Sequence, residues 1–164
     1  TSLRARVALL KDLPVSGFDT VFKSIHQSKN AQEFIFILQK KGILVGLVSG
    51  GFAPIVERLA KSLGITYYSA NQLEVKDGFL TGRLVGEIMT GQVKKATLER
   101  WRKELELPKE RTIAIGDGAN DLLMLKSAGR GIAFCAKEVV KTEIACHVDT
   151  RDFLEVLPLI DFLE

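Results

Sequence analysis

The sequence predicts an α/β protein: a Rossmann-type parallel sheet flanked by helices. Three observations carry this. Ile43 to Val48 is an unbroken apolar run, the pattern of a strand buried on both faces. Around it, short apolar segments alternate with helical segments of about ten to fifteen residues, the rhythm of a chain wound in βαβ units. Finally, two glycine-rich loops, Ser49-Gly50-Gly51 and the stretch from Gly116 to Asp121, each follow a predicted strand and open a predicted helix. Open parallel sheets bind ligands at such carboxyl ends of strands.

In chain order, Leu3, Val7 and Leu10 recur at helical spacing, and Pro14 ends the pattern. Ser16 or Asp19 would cap a second short helix carrying Val21, Phe22 and Ile25. Asn30 precedes a third, with Phe34, Ile35 and Leu38 on its apolar side and Gly42 as its stop. The strand at 43–48 follows, then a helix from Pro54 to Leu63 that stops at Gly64, then a strand from Ile65 to Ala70. Asp77-Gly78 lies between Leu73–Val75 and Phe79–Val85, the signature of a hairpin turn. The spacing next predicts a helix over 93–107, a strand over 112–115, a helix over 121–128, a strand over 131–134 and a helix over 137–145. An amphipathic helix over 152–163 closes the fold. There are no repeats and no low-complexity linker.

The chain of 164 residues is 46% hydrophobic and 26% charged, an ordinary globular balance that argues for one domain. A chain of this length buries roughly two-thirds of its unfolded surface. The net charge of +3 is small and evenly spread, with no basic stripe and no stacking platform, so nucleic acid is not an expected partner. The apolar runs are too short to span a membrane. Cys135 and Cys146 lack any metal-ligand or redox spacing and read as free thiols, which suits a cytoplasmic protein. No signal-peptide pattern and no initiator Met are present, so the chain is expected to start partway through a longer one. Nothing in the sequence sets an oligomeric state.

The chemistry concentrates in a few places. Ser49-Gly50-Gly51 offers a hydroxyl, a backbone that a ligand can approach closely, and the following helix N-terminus, all suited to phosphate; the plainer reading is a strand-to-helix turn. In Gly116-Asp117-Gly118-Ala119-Asn120-Asp121, two carboxylates four positions apart face one point if the loop is tight. Such a pair suits Mg²⁺, which takes oxygen ligands and keeps waters; the plainer reading is an Asx-rich helix cap. Lys94 can neutralise a phosphoryl oxygen and a neighbouring carboxylate, though Lys95 competes with it by position. Arg6 suits a small carboxylate, and Arg4 is equally available. His26, His147 and Trp101 stand in no ligand or triad spacing and read as structural. Neither a Walker loop nor a dinucleotide fingerprint occurs.

Val48-Ser-Gly-Gly-Phe52, a lysine at 94 and Gly116-Asp-Gly-Ala-Asn-Asp121, in that order, resemble the haloacid dehalogenase superfamily. The stretches Ser2 to Leu10, Lys76 to Gly82 and Gly131 to Lys137 bring the resemblance closest to its phosphoserine phosphatases. The resemblance implies an α/β core over 29–164 lacking its first strand, and a remnant of a small helical cap over 1–28. It implies Mg²⁺-dependent hydrolysis of O-phosphoserine to serine and phosphate, through an aspartyl-phosphate. By the same resemblance Ser49 and Gly50 hold the phosphoryl group. Lys94, which fits the motif by its distance from Leu98, binds it from the side. Asp117 ligates the metal, while Asp121 supports the metal site or orients Lys94. Asn120 contacts substrate or phosphate, and Arg6 pairs with the substrate carboxylate. The family's nucleophile lies in an Asp-x-Asp-x-Thr motif, and no Asp-x-Asp occurs in this chain. The 164 residues are therefore expected to be inactive alone, with their missing N-terminal segment as a partner. Two rival readings stand beside this one: a catalytically silent phosphate- or metal-binding module, and a phosphatase of the same superfamily acting on another small phosphorylated substrate.

Overall fold

The computed structural model describes residues 2–160. They fall into two compact units, residues 2–26 with Val45–Met89, and Gln27–Leu44 with residues 90–160. The first unit thus gathers the N-terminal helices with the first sheet, where the sequence reading drew its boundary after residue 28.

In the first unit, helices α1 (Leu3–Ala8) and α2 (Gly17–Ser24) precede strand β1 (Gly46–Phe52), helix α4 (Ala53–Ser62) and strands β2 (Tyr67–Lys76) and β3 (Phe79–Val85). Helix α3 (Ala31–Lys40) lies in the second unit. The sheet order is β1-β2-β3, with β1 parallel to β2 and β3 antiparallel to it. The hairpin turns at Asp77 and Gly78, both at positive φ, as an Asp-Gly turn requires. Two strands start later than the apolar runs suggest, for one reason. Gly42 and Gly64 end their helices at positive φ, and the next residue bonds back into the helix: Ile43 N–H to Leu38 O at 2.9 Å, Ile65 N–H to Ala60 O at 2.8 Å. Each isoleucine is spent on its helix cap rather than on the strand. Ser2 caps α1 by accepting from Ala5 N–H. This helix rests against β3 at Gly82, where a Cβ would lie 3.0 Å from Lys11 Cβ and 3.2 Å from Ala8 O. Pro54 sits in the first turn of α4, where its missing N–H costs nothing. Ala53, Val56 and Ala70 form the core that seats α4 on β1 and β2, with Leu47 packed against it.

The second unit continues with helix α5 (Gly91–Glu104), strand β4 (Ile113–Gly116), helix α6 (Leu122–Ser127), strand β5 (Arg130–Phe134), helix α7 (Glu138–Lys141) and strand β6 (His147–Val148). Its sheet is wholly parallel in the order β4-β5-β6. Ile132, Val140 and Val156 are fully buried, and Phe153 stacks on Phe134 with ring centroids 4.3 Å apart. Two expectations need correction here, and one strand was not foreseen. The helix expected over 137–145 ends at Lys141. The two-residue strand β6 follows it, too short to register as a pattern. The closing helix is a 3-10 helix over Phe153–Leu159, with Pro158 inside it, where a proline ring disfavours the α-helical carbonyl of residue i−4; residues 161–163 of the expected helix lie outside the described residues.

Asp152 ties the two chain segments of this unit together. Its Oδ2 lies 2.9 Å from Lys29 Nζ, and its Oδ1 accepts from Asn30 Nδ2 at 2.9 Å and from Leu154 N–H at 3.0 Å. The hydrogen bond from Lys29, then those from Asn30 and Leu154, hold the Asp152 carboxyl below the usual carboxylate range. A depressed native value contributes stability above the unfolded value of about 3.9, and that contribution is lost as pH falls through the native value. Asp152→Asn is therefore expected to lower stability at neutral pH and to flatten its fall below about pH 4. Urea midpoints across this range check it; parallel acid limbs for the two proteins would refute the linkage.

Candidate active site

The loop after β4 is folded around one carboxylate. Asp121 Oδ2 accepts from Asp117 N–H at 3.1 Å and from Gly118 N–H at 3.0 Å, and its Oδ1 accepts from Lys94 Nζ at 2.7 Å. The Lys94 and Asp121 side chains are only 7% and 8% exposed, so this is a buried ion pair. Helix α5 delivers the lysine. Thr90 caps it by accepting from Val93 N–H, and Lys94 and Thr97 point into the unit. Lys95, its rival by position, lies half-exposed, 3.8 Å from Glu99. Gly116 is required where it stands, because a Cβ there would lie 2.6 Å from Asp121 Cβ. Gly118 leaves room for Asn120, whose Oδ1 would be 2.5 Å from a Cβ. Gly91 lets the start of α5 approach the Asn120 carbonyl, which would stand 3.0 Å from a Cβ.

Asp117 contrasts with Asp121. It is exposed, and among the described residues its carboxylate has no hydrogen-bond or ion-pair partner. Asn120 is exposed as well. The loop therefore divides its acids: Asp121 is saturated by a lysine and two amides, while the oxygens of Asp117 face solvent. Among the described residues no three His, Cys, Asp or Glu side chains converge on one point. The donor set is therefore a single open carboxylate. This fits Mg²⁺, which is commonly held by one or two carboxylates plus water and substrate oxygens.

In the first unit, Ser49, Gly50 and Gly51 form a bulge. Val48 pairs with Ser69 and Phe52 with Asn71, so three residues of β1 face Ala70 alone. They belong to the strand's extended course, not to a loop beyond it, and α4 begins directly after Phe52. Ser49 Oγ accepts from Gly51 N–H at 2.9 Å. A Cβ on Gly50 would meet nothing within 4 Å, so the backbone there is open to an approaching group. Arg6 is exposed on α1 and, among the described residues, shares no hydrogen bond or ion pair with Ser49 or Gly50. Sequence reasoning missed Asn71, a buried amide in β2 that bonds to Gly50. Its one signal was a polar residue next to a buried alanine in a strand.

A model of the haloacid dehalogenase-like hydrolases matches residues 3–126. The chain belongs to this family. Within it, the phosphoserine phosphatase of Streptococcus thermophilus is 51% identical to this haloacid dehalogenase-like hydrolase over 160 residues, 98% of this chain and 74% of that one. That of Lactococcus lactis is 49% identical over 162 residues, 99% and 75% of the two chains. Among solved structures, a substrate-bound phosphoserine phosphatase complex has a TM-score of 0.91 and 43% identity, covering 97% of this chain and 76% of that one. The α/β fold with helix-flanked parallel strands read from the sequence is the fold of these proteins. Among the described residues no helix is long and apolar enough to cross a membrane.

Proposed function

We propose that this hydrolase chain supplies the phosphate- and metal-binding part of a phosphatase that converts O-phosphoserine to serine and phosphate. The observation that carries the reading is the buried Lys94–Asp121 pair, fixed to the amides of a loop whose other carboxylate, Asp117, stays open. A cation held by its counter-ion is preorganised: it need not reorient as charge grows on a phosphoryl oxygen. Asp121 keeps Lys94 in place, Ser49 and Gly50 meet the phosphoryl oxygens, and Asn120 contacts substrate or phosphate. Arg6, on what we read as the cap remnant over 1–28, pairs with the substrate carboxylate as a planar fork. Asp117 would hold Mg²⁺, which supplies charge neutralisation at the phosphate when bound. Free thiols at Cys135 and Cys146 agree with a cytoplasmic setting.

Covalent attack on phosphorus needs an aspartate that these residues do not supply, since no Asp-x-Asp pair occurs among them. Among the described residues β1 pairs only with β2 and β4 only with β5. Each is an edge with unpaired backbone groups, of the kind to which a further strand adds. Phosphate release tests the whole reading. The 164-residue chain alone is expected to give none. Supplied with the quarter of the Streptococcus thermophilus relative that it does not match, it is expected to hydrolyse O-phosphoserine in preference to sugar phosphates. Asp117→Asn should then cost at least about a hundredfold in rate. Turnover by the chain alone would overturn the need for an outside aspartate. A preference for another ester would overturn the substrate, and a full Mg²⁺-dependent rate in Asp117→Asn would overturn the metal assignment.

A further inference from the structure

Asn71 is 1% exposed, in the middle of β2. Its Nδ2 donates to the Gly50 carbonyl at 2.8 Å, and its Oδ1 accepts from Met89 N–H at 2.8 Å. One end donates and the other accepts, a combination that a carboxamide provides and that neither a carboxylate nor an apolar side chain can copy. Burying an amide is costly unless both ends are satisfied, and here both are.

Its position gives the amide a task. Phe52 and Asn71 are the first pair to re-form after the bulge. The residue that closes the bulge on β2 therefore also holds the carbonyl at its middle. Gly50 and Gly51 flank a peptide that, with no side chain on either side, can take many orientations. Holding the Gly50 carbonyl fixes that peptide plane, and with it the Gly51 N–H on the opposite edge. This N–H donates to Ser49 Oγ at 2.9 Å. A hydroxyl oxygen that already accepts from a backbone amide keeps its own proton to give away.

We infer that Asn71 is a positioning residue for the anion loop: by fixing the Gly50–Gly51 peptide it presents the Ser49 hydroxyl as a hydrogen-bond donor. This rests on the reading that Ser49 and Gly50 hold phosphate. The test is the affinity of the 164-residue chain for inorganic phosphate, read by phosphorus NMR titration, in a double-mutant cycle. Asn71→Ala and Ser49→Ala are each expected to weaken phosphate about tenfold, and the double variant to be no weaker than the worse single one. Leu63→Ala, buried at the far end of α4, is the stability control: it should lower the urea midpoint and leave phosphate affinity unchanged. If Asn71→Ala does not fold, Asn71→Ser, with a hydroxyl too short to serve both partners, replaces it in the cycle. Losses that add fully in the double variant, or an equal loss in Leu63→Ala, would assign Asn71 a merely structural role and overturn the inference. Phosphate bound as tightly after Asn71→Ala as before would overturn it alone. No phosphate binding by the unaltered chain would overturn it together with the reading beneath it.

Discussion

Lys94→Ala is expected to lower the free energy of unfolding by about 3–5 kcal/mol, the cost of removing one partner from a buried ion pair. The magnitude follows from what remains. Asp121 keeps the amides of Asp117 and Gly118 on Oδ2 but loses Lys94, the one partner of Oδ1 among the described residues, at a site where its side chain is 8% exposed. The truncation takes away the counter-ion of a buried carboxylate and leaves its charge uncompensated. The opposite truncation, Asp121→Asn, leaves the ammonium buried against an amide and should cost a similar amount. The decisive measurement is the cycle: urea midpoints of Lys94→Met, Asp121→Asn and both together. Coupling is expected, with the double variant clearly less destabilised than the sum of the singles. Full additivity would mean that the pair contributes no mutual stabilisation. A lysine that could be truncated for less than about 0.5 kcal/mol would behave like a surface ion pair and contradict its burial.

That pair shows where sequence reasoning stops. The loop from Gly116 to Asp121 was legible because its glycines, asparagine and acids are adjacent, and local backbone demands select local residues. The choice between Lys94 and Lys95 was open on residue type alone. Helix phase separates the two: the side of α5 that buries Thr97 also buries Lys94 and leaves Lys95 beside Glu99. Asn71 was invisible for the same reason in sharper form. Its partners lie 21 and 18 residues away, and an asparagine in a strand carries no mark of what its amide will meet.

The fold was read best where one residue type does one job. Asp77-Gly78 turns the hairpin, and Gly42 and Gly64 stop their helices. It was read less well at strand starts, because Ile43 and Ile65 look equally apolar whether they extend a strand or close a helix cap. The bulge at Ser49 to Gly51 looked like a loop since glycines favour both; only the register with β2 distinguishes them.

Gly116→Ala and Gly50→Ala should separate a glycine that close packing requires from one that leaves its backbone open. At Gly116 a Cβ would stand 2.6 Å from Asp121 Cβ, 2.7 Å from its Cγ and 2.8 Å from its Oδ2. Those atoms cannot swing aside like the tip of a long side chain, because three hydrogen bonds hold the carboxylate. Either the end of β4 shifts or Asp121 gives up partners. Overpacking alone costs about 1–3 kcal/mol, and each buried hydrogen bond surrendered adds about 1–3 kcal/mol. The melting temperature should fall accordingly. Phosphate affinity should fall with it, since Lys94 loses its anchor. At Gly50 nothing lies within 4 Å of a Cβ, and φ is not in the left-handed region. Gly50→Ala should therefore leave the urea midpoint within about 0.5 kcal/mol of the parent, yet weaken phosphate, because its methyl group would occupy the open approach to the backbone. A Gly50→Ala variant that binds phosphate as the parent does would remove Gly50 from the site. A Gly116→Ala variant as stable as the parent would show that the loop can relax around Asp121 in a way its hydrogen bonds argue against.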